Sequence, residues 1–336
     1  MGRVIRLNDV KPKSSELLEK AVKLGGTDIH LCPGTKPYVR INGNLESMEG
    51  DVLSVEHIEA VIAELLDSRQ MEDLKKSRML SFTFAVSSLG RFRCSIYSQR
   101  GSFAITIRSM PHEIPAFEAM GLPPEAKDVM AKTRGLVLVV GVGFAKSTTL
   151  ACLLDIVNQE RICHITTVEN PIEYLHRHGK SIVSQKEIGG DTTDFQTGLL
   201  WSMREDADII MLSEMPQEPE MVMQVLTAAE EKLVLAGLNA IGTTKAIEYI
   251  IDAFASPTQK EAVTEKQAQV RSRLAGVLEC VFHQQLLPCE ADAKLTPSCE
   301  ILLLTSETKR LIAEGKFHSL NSKLERMDRK VGHHGK

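Results

Sequence analysis

Six residues, Gly135-Leu136-Val137-Leu138-Val139-Val140, form an unbroken apolar run behind Arg134, and a glycine-containing turn and an apolar-periodic segment follow directly. A run this short and rich in β-branched residues suits a strand buried on both faces, the position strands take in a parallel sheet. Beyond the turn, Leu150, Leu153, Leu154 and Val157 recur at helical spacing behind the hydroxyl cluster Ser147-Thr148-Thr149. Strand, glycine turn and helix N-terminus together build an anion site, because the first N–H groups of the helix have no partners within it.

The turn itself, Gly141-Val142-Gly143-Phe144-Ala145-Lys146-Ser147-Thr148, resembles the phosphate loop G-x-x-x-x-G-K-[ST]. Counted back from Lys146, the first Gly belongs at Val140 and the second at Ala145, so the loop is one residue short and its last Gly carries a methyl group. Losing one residue removes about 3.5 Å of contour and one N–H donor, worth roughly 1.5–3 kcal/mol when the hydrogen bond is charge-assisted. If position 145 requires a positive φ, Ala adds about 1 kcal/mol of strain. Together these effects weaken nucleotide binding by roughly two to four decades. The candidate phosphate contacts are Gly141, Gly143, Ala145, Lys146, Ser147 and Thr148.

Acids at other strand ends complete the constellation. Asp208 to Ser213 reads as a strand ending in Glu214, and a carboxylate there suits Mg²⁺, with Ser147 the second metal contact. Glu169-Asn170-Pro171-Ile172-Glu173 follows the apolar segment 162–168 and offers two carboxylates, one placed to orient or deprotonate water. Singly, each of these acids is more often a solvated loop residue, but together with Lys146-Ser147 at matched strand ends they favour a nucleotide site.

With 336 residues, two domains are the expectation. Residues 14 to 24 predict an amphipathic helix ended by Gly25-Gly26, and Asp28–Leu31 and Tyr38–Ile41 predict strands, the second leading into an Asn42-Gly43 hairpin turn. A helix from Val55 to Leu66 has Ser54 as its cap, and Phe82, Phe84 and Val86 alternate ahead of two more strands within 91–107. Prolines 111, 115, 123 and 124 mark a linker with one helical turn. Past Gly135, strand signals at 135–140, 162–168, 208–213 and 233–238 alternate with helical ones, the pattern of a parallel sheet covered on both faces.

The formal charge of −4 gives no reason to expect nucleic-acid binding. Seven cysteines without a C-x-x-C pair disfavour disulfides and structural zinc, and His176-x-His178 without a third ligand reads as a solvent-facing loop. Met1 to Asp9 lacks the apolar region of a signal peptide.

These motifs, together with Thr27-Asp28-Ile29-His30-Leu31, Gly90-Arg91-Phe92-Arg93, Arg204-Glu205-Asp206 and Leu226-Thr227-Ala228-Ala229-Glu230, make the chain resemble the PilT-type ATPases that retract type IV pili in twitching motility. These belong to the wider family of type II and type IV secretion ATPases, and the resemblance spans residues 14 to 320. It implies an α/β fold: a PAS-like domain over 1–107, a linker over 108–124, a RecA-like P-loop domain with a mainly parallel sheet over 125–324, and a flexible tail over 325–336. It further implies ATP and Mg²⁺ as cofactors and Glu173 as general base. Glu214 is then the Walker B acid, and Glu169 and Arg108 are nucleotide contacts, with Arg91 and Arg93 as further candidates. A strand-surface role is the alternative for each arginine. The relatives that carry a tetracysteine zinc module differ here, which selects the retraction branch.

Implied for the assembly is a hexamer, or a mixed ring with a related ATPase, in the cytoplasm and docked on an inner-membrane pilus platform protein. The departures from the family pattern cluster at the nucleotide site. Besides the loop, Asn170 stands for Asp, Ser213 for Gly, and Leu238-Asn239-Ala240 for L-H-T, while Glu231-Lys232-Leu233 replaces a longer T-G-H-L. Two readings follow: an active retraction ATPase, or a catalytically impaired subunit that assembles with an active one.

Overall fold

The computed structural model describes residues 3–5, 12–86, 89–110, 113–141, 145–254, 260–288 and 295–320. The chain divides into two units, Met1–Glu113 and Ile114–Lys336, so the division falls inside the proline-marked segment.

In the first unit, strands β1 (Arg3–Ile5), β2 (Asp28–Leu31), β3 (Tyr38–Ile41), β4 (Asn44–Ser47), β5 (Met79–Val86), β6 (Gly90–Gln99) and β7 (Ser102–Ser109) form one sheet, in the order β1-β5-β6-β7-β2-β3-β4. All neighbours are antiparallel except β1 and β5. Helices α1 (Pro12–Lys23), α2 (Val55–Leu65) and α3 (Ser68–Ser77) supply Leu18, Ile58, Ile62, Leu65 and Leu74 to a core shared with Ile29, Phe84, Phe92 and Ile105. Phe84 and Phe92 face each other across β5 and β6 with ring centroids 5.5 Å apart.

The expected local signals are present. Ser54 caps α2, its Oγ accepting the His57 N–H while His57 Nδ1 accepts the Ser54 N–H. Asn42 and Gly43 both take positive φ, 48° and 84°, the backbone a two-residue hairpin requires. Helix α3, absent from the sequence reading, has a similar box built by Asp67 and Gln70.

The second unit begins with a 3-10 turn, Phe117–Met120, and continues through α4 (Glu125–Met130), β8 (Gly135–Val140), α5 (Ala145–Glu160), β9 (His164–Glu169), β10 (Ile182–Glu187), α6 (Phe195–Arg204), β11 (Ile209–Leu212), α7 (Pro219–Glu231) and β12 (Leu233–Leu238). It closes with α8 (Thr243–Asp252), α9 (Lys260–Val277), β13 (Leu278–Pro288), β14 (Leu295–Leu303) and α10 (Ser306–Ala313). The sheet order is β10-β9-β11-β12-β8-β13-β14, parallel throughout until β14 returns antiparallel along β13.

Alternation explains why β8 reads as continuously apolar. Leu136, Leu138 and Val140 enter one core with residues of α6, α7, α8 and α9. Val137 and Val139 enter the opposite core with α4 and α5. Both faces of the strand are buried, so no position is left for a polar side chain.

Two of the expected strands are shorter than the sequence suggests. Strand β9 starts at His164, and β11 covers only Ile209–Leu212 because Asp208 turns its carboxylate to the His164 N–H at 2.9 Å. Ser213 and Glu214 therefore lie past the strand end. The tail 325–336 is outside the described residues.

Candidate functional site

The parallel strands β9, β11, β12 and β8 end on one edge of the sheet, where crossover connections leave backbone groups and side chains open to a ligand. Gly141 follows β8 and packs so closely on β13 that a Cβ there would lie 2.7 Å from the Gln284 carbonyl oxygen. Only glycine allows that approach. Residues 142–144, and with them the candidate Gly143, fall outside the described residues. Ala145 opens α5, so the residue replacing the loop's last Gly is taken into a helix, where Ala is the most favourable former. The strain expected from a left-handed conformation at this position does not arise.

Lys146 is the centre of the arrangement. Its side chain is only 8% exposed, and Nζ donates to the Gly141 carbonyl at 3.3 Å and to Asn239 Oδ1. Asn239 Nδ2 in turn donates to Glu214 Oε1 at 2.6 Å. Burial lowers the pKa of the Lys146 amine, opposed by the negative charges of Glu214 and Glu173. The loop lysine, the acid after β11 and the acid after β9 thus share one electrostatic environment. Ser147 follows on the first turn of α5, half-buried, and Thr148 Oγ1 lies 2.8 Å from the Tyr174 hydroxyl. Burial raises the Tyr174 pKa, the Thr148 bond counteracts it, and the charge of Glu173 adds to the rise.

The segment carrying Glu173 is held from three directions. The Asn170 N–H donates to Ser213 Oγ at 3.2 Å, the Ile172 N–H to Glu187 Oε2 at 3.0 Å, and Gln185 Nε2 to the Tyr174 carbonyl at 2.9 Å. Glu169 is buried, and its Oε1 accepts from Thr167 Oγ1 at 2.6 Å and Gln185 Nε2 at 3.0 Å. Its carboxylate is bound into the sheet edge.

Arg108 belongs to the first unit, where its Nε donates to Asp28 Oδ1 at 2.5 Å across the β2–β7 pair. Arg91 and Arg93 reach hydroxyls of the neighbouring strand, Thr83 and Ser81. The loop 175–180 is exposed, as read from the sequence, except at His176, which is half-buried. The imidazole is packed against the protein, and burial lowers its pKa to about 4 against the pull of Asp155. His178 Nδ1 accepts the Val183 N–H at 3.1 Å, and among the described residues no cluster of His, Cys, Asp and Glu could hold a metal ion. Tyr174, Gln185 and Glu187 were not anticipated from the sequence. Asn239 drew notice there only as a lost histidine.

Residues 7–330 match the family model described as type II/IV secretion system protein. The type IV pilus retractation ATPase PilT of Pseudomonas aeruginosa is 33% identical over 93% of this chain and 88% of its own length. The type IV pilus ATPase PilU of the same species is 31% identical over 93% of this chain and 80% of its own. Among solved structures, the pilus retraction motor PilT with bound ADP superposes with a TM-score of 0.85 at 34% identity, covering 93% of this chain and 89% of that one. That likeness agrees with a mixed α/β chain of two domains. By sequence and by fold, the chain belongs to the type II/IV secretion ATPase family, in its PilT-type branch.

Proposed function

We propose that this chain is an ATPase of the pilus-retraction type, working as a hexameric ring in the cytoplasm on an inner-membrane pilus platform and coupling ATP hydrolysis to pilus disassembly. The observation that carries the reading is the burial of Lys146 in the first turn of α5, where the charges of Glu173 and Glu214 converge on it. The donor set fits ATP with Mg²⁺. A buried ammonium at the start of a 16-residue helix suits phosphate, and the Ser147 hydroxyl with the Glu214 carboxylate suits a hard cation. Bound Mg²⁺ supplies neutralisation of phosphate charge.

The chain's own groups do the rest. Lys146 binds phosphate oxygens, and Thr148 fixes Tyr174 and so the segment that bears Glu173. Glu173 orients a water molecule and takes its proton. Phosphate release by the purified protein at millimolar ATP with Mg²⁺ tests this. Turnover that falls with Lys146→Ala is expected, with affinity weakened roughly 10- to 150-fold by loss of a charge-assisted bond of about 1.5–3 kcal/mol. Correctly assembled protein with no turnover above background overturns it.

A second reading is supported by the occupation of the lysine by Asn239 together with the shortened loop: a ring subunit of low activity that co-assembles with an active relative. It predicts mixed rings and indifference of their function to Lys146→Ala in this chain.

A further inference from the structure

The strands β11, β12 and β8 are consecutive neighbours in the sheet. Glu214 lies beyond the first, Asn239 immediately follows the second, and Lys146 lies beyond the third. From the middle strand, one amide reaches to both sides: Oδ1 accepts from Lys146 Nζ and Nδ2 donates to Glu214 Oε1. An ammonium can only donate and a carboxylate can only accept. A planar amide carries one acceptor and two donors on a short stem, so it satisfies both partners at once. Its orientation is thereby fixed, since the flipped amide would set donor against donor and acceptor against acceptor.

We infer that Asn239 is a positioning residue of the nucleotide site, holding the loop lysine and the strand-end acid a side chain apart and preventing them from closing into a direct ion pair. The inference rests on the ATPase reading of the site only for its catalytic consequence. A direct Lys146–Glu214 pair would engage both groups with each other; the interposed amide leaves each with further bonding capacity for a phosphate oxygen or a cation. Asn239 also does not titrate, so this spacing is independent of pH across the range in which a histidine at the same position would change charge.

The test reads Lys146 directly. Competitive acetylation with acetic anhydride, followed by peptide mass spectrometry, gives the reactivity of Lys146 relative to the exposed Lys23 in wild type, Asn239→Leu and Asn239→Asp. Asn239→Leu keeps the bulk that holds the two groups apart but removes the acceptor, which destabilises the ammonium and speeds labelling about tenfold. Asn239→Asp, the isosteric change, adds a negative charge beside the ammonium and slows labelling. The two variants move in opposite directions, which a general loosening of the fold does not produce. Circular dichroism melts establish folding, and the isosteric variant keeps the test decisive if Asn239→Leu fails to fold.

Relative labelling within twofold of wild type in the folded variants overturns the inference. Binding of a fluorescent ATP analogue separates the two levels. If wild type does not bind it, the ATPase reading falls while the labelling still decides the role of Asn239. If Lys146→Ala alone loses the analogue and both Asn239 variants bind and label as wild type, the inference falls and the ATPase reading stands.

Discussion

Acidification from pH 7 to pH 5 removes stability from the second unit through His176. The imidazole is packed beside Asp155 of α5, its Nδ1 is buried without a hydrogen-bond partner, and burial holds its pKa at about 4 against the ordinary 6.5. Between these two values the unfolded chain takes up a proton that the folded chain refuses. Stability therefore falls as pH drops from above 6.5 towards 4, by about 1.4 kcal/mol per unit and about 3 kcal/mol in full. Integrated between pH 7 and pH 5, the share of His176 is about 2 kcal/mol.

Urea unfolding followed by the fluorescence of Trp201, the single tryptophan, reports on the unit that contains it. Other histidines contribute to the wild-type pH dependence, so the informative quantity is the difference from His176→Gln, which does not titrate. The stability lost between pH 7 and pH 5 should be smaller in the variant by about 2 kcal/mol. Equal losses in the two proteins refute the assignment. The His176 N–H donates to Gln185 Oε1, and Gln185 Nε2 holds the Tyr174 carbonyl and Glu169. Protonation of the folded imidazole, below about pH 4, should therefore loosen the support of Glu173, and the protection of the Tyr174–His176 amides relative to their intrinsic exchange rates should fall there.

Glu173→Gln should lower phosphate release roughly 10²- to 10⁴-fold, the ordinary contribution of a general base, while affinity for an ATP analogue changes only severalfold. Gly237→Ala places a Cβ 2.1 Å from the Ser213 carbonyl oxygen, forcing apart the ends of β12 and β11. A loss of about 1–3 kcal/mol in urea unfolding is expected, with reduced turnover because Glu214 follows Ser213. Tyr174→Phe removes the bond to Thr148, with an expected cost of about 1 kcal/mol and a fall in kcat larger than the change in KM.

What was legible in the sequence is what short-range physics decides. Strand β8 announces itself because burial on both faces excludes polar residues, and the Ser54 cap and the Asn42-Gly43 turn each act within four residues. Helix α3 escaped because among its residues only Leu74 is buried, too thin a stripe for periodicity to show. Strand β10 escaped because it lies at the sheet edge, with Ser184, Gln185, Lys186 and Glu187 half-exposed in a strand that reads as a polar loop. At the site, Lys146, Glu173 and Glu214 could be named because each stands at a recognisable strand-end position. The bond from Lys146 to Asn239 spans 93 residues, and no local pattern encodes it.

That long-range bond changes the meaning of the departures from the family pattern. Substitutions accumulating independently in an abandoned site would leave buried polar groups without partners, each costing about 1–3 kcal/mol. Here two of the substituted positions, Ser213 and Asn239, serve their neighbours. Ser213, where the family has Gly, supplies the hydroxyl that accepts the Asn170 N–H, and a glycine at 213 has no atom to do so. Asn239, where the family has His, joins the loop lysine to the acid after β11. Among the described residues, the buried side-chain atoms lacking a partner belong to His30, Thr166, His176, Gln224, Thr244, Arg271 and Gln284, and none is a substituted position of the site. Satisfied hydrogen bonds at altered positions are the mark of a site rebuilt around a different set of contacts. Ser213→Gly alone therefore removes the acceptor of the Asn170 N–H, and Asn239→His alone has to reach both Lys146 and Glu214 with a larger ring.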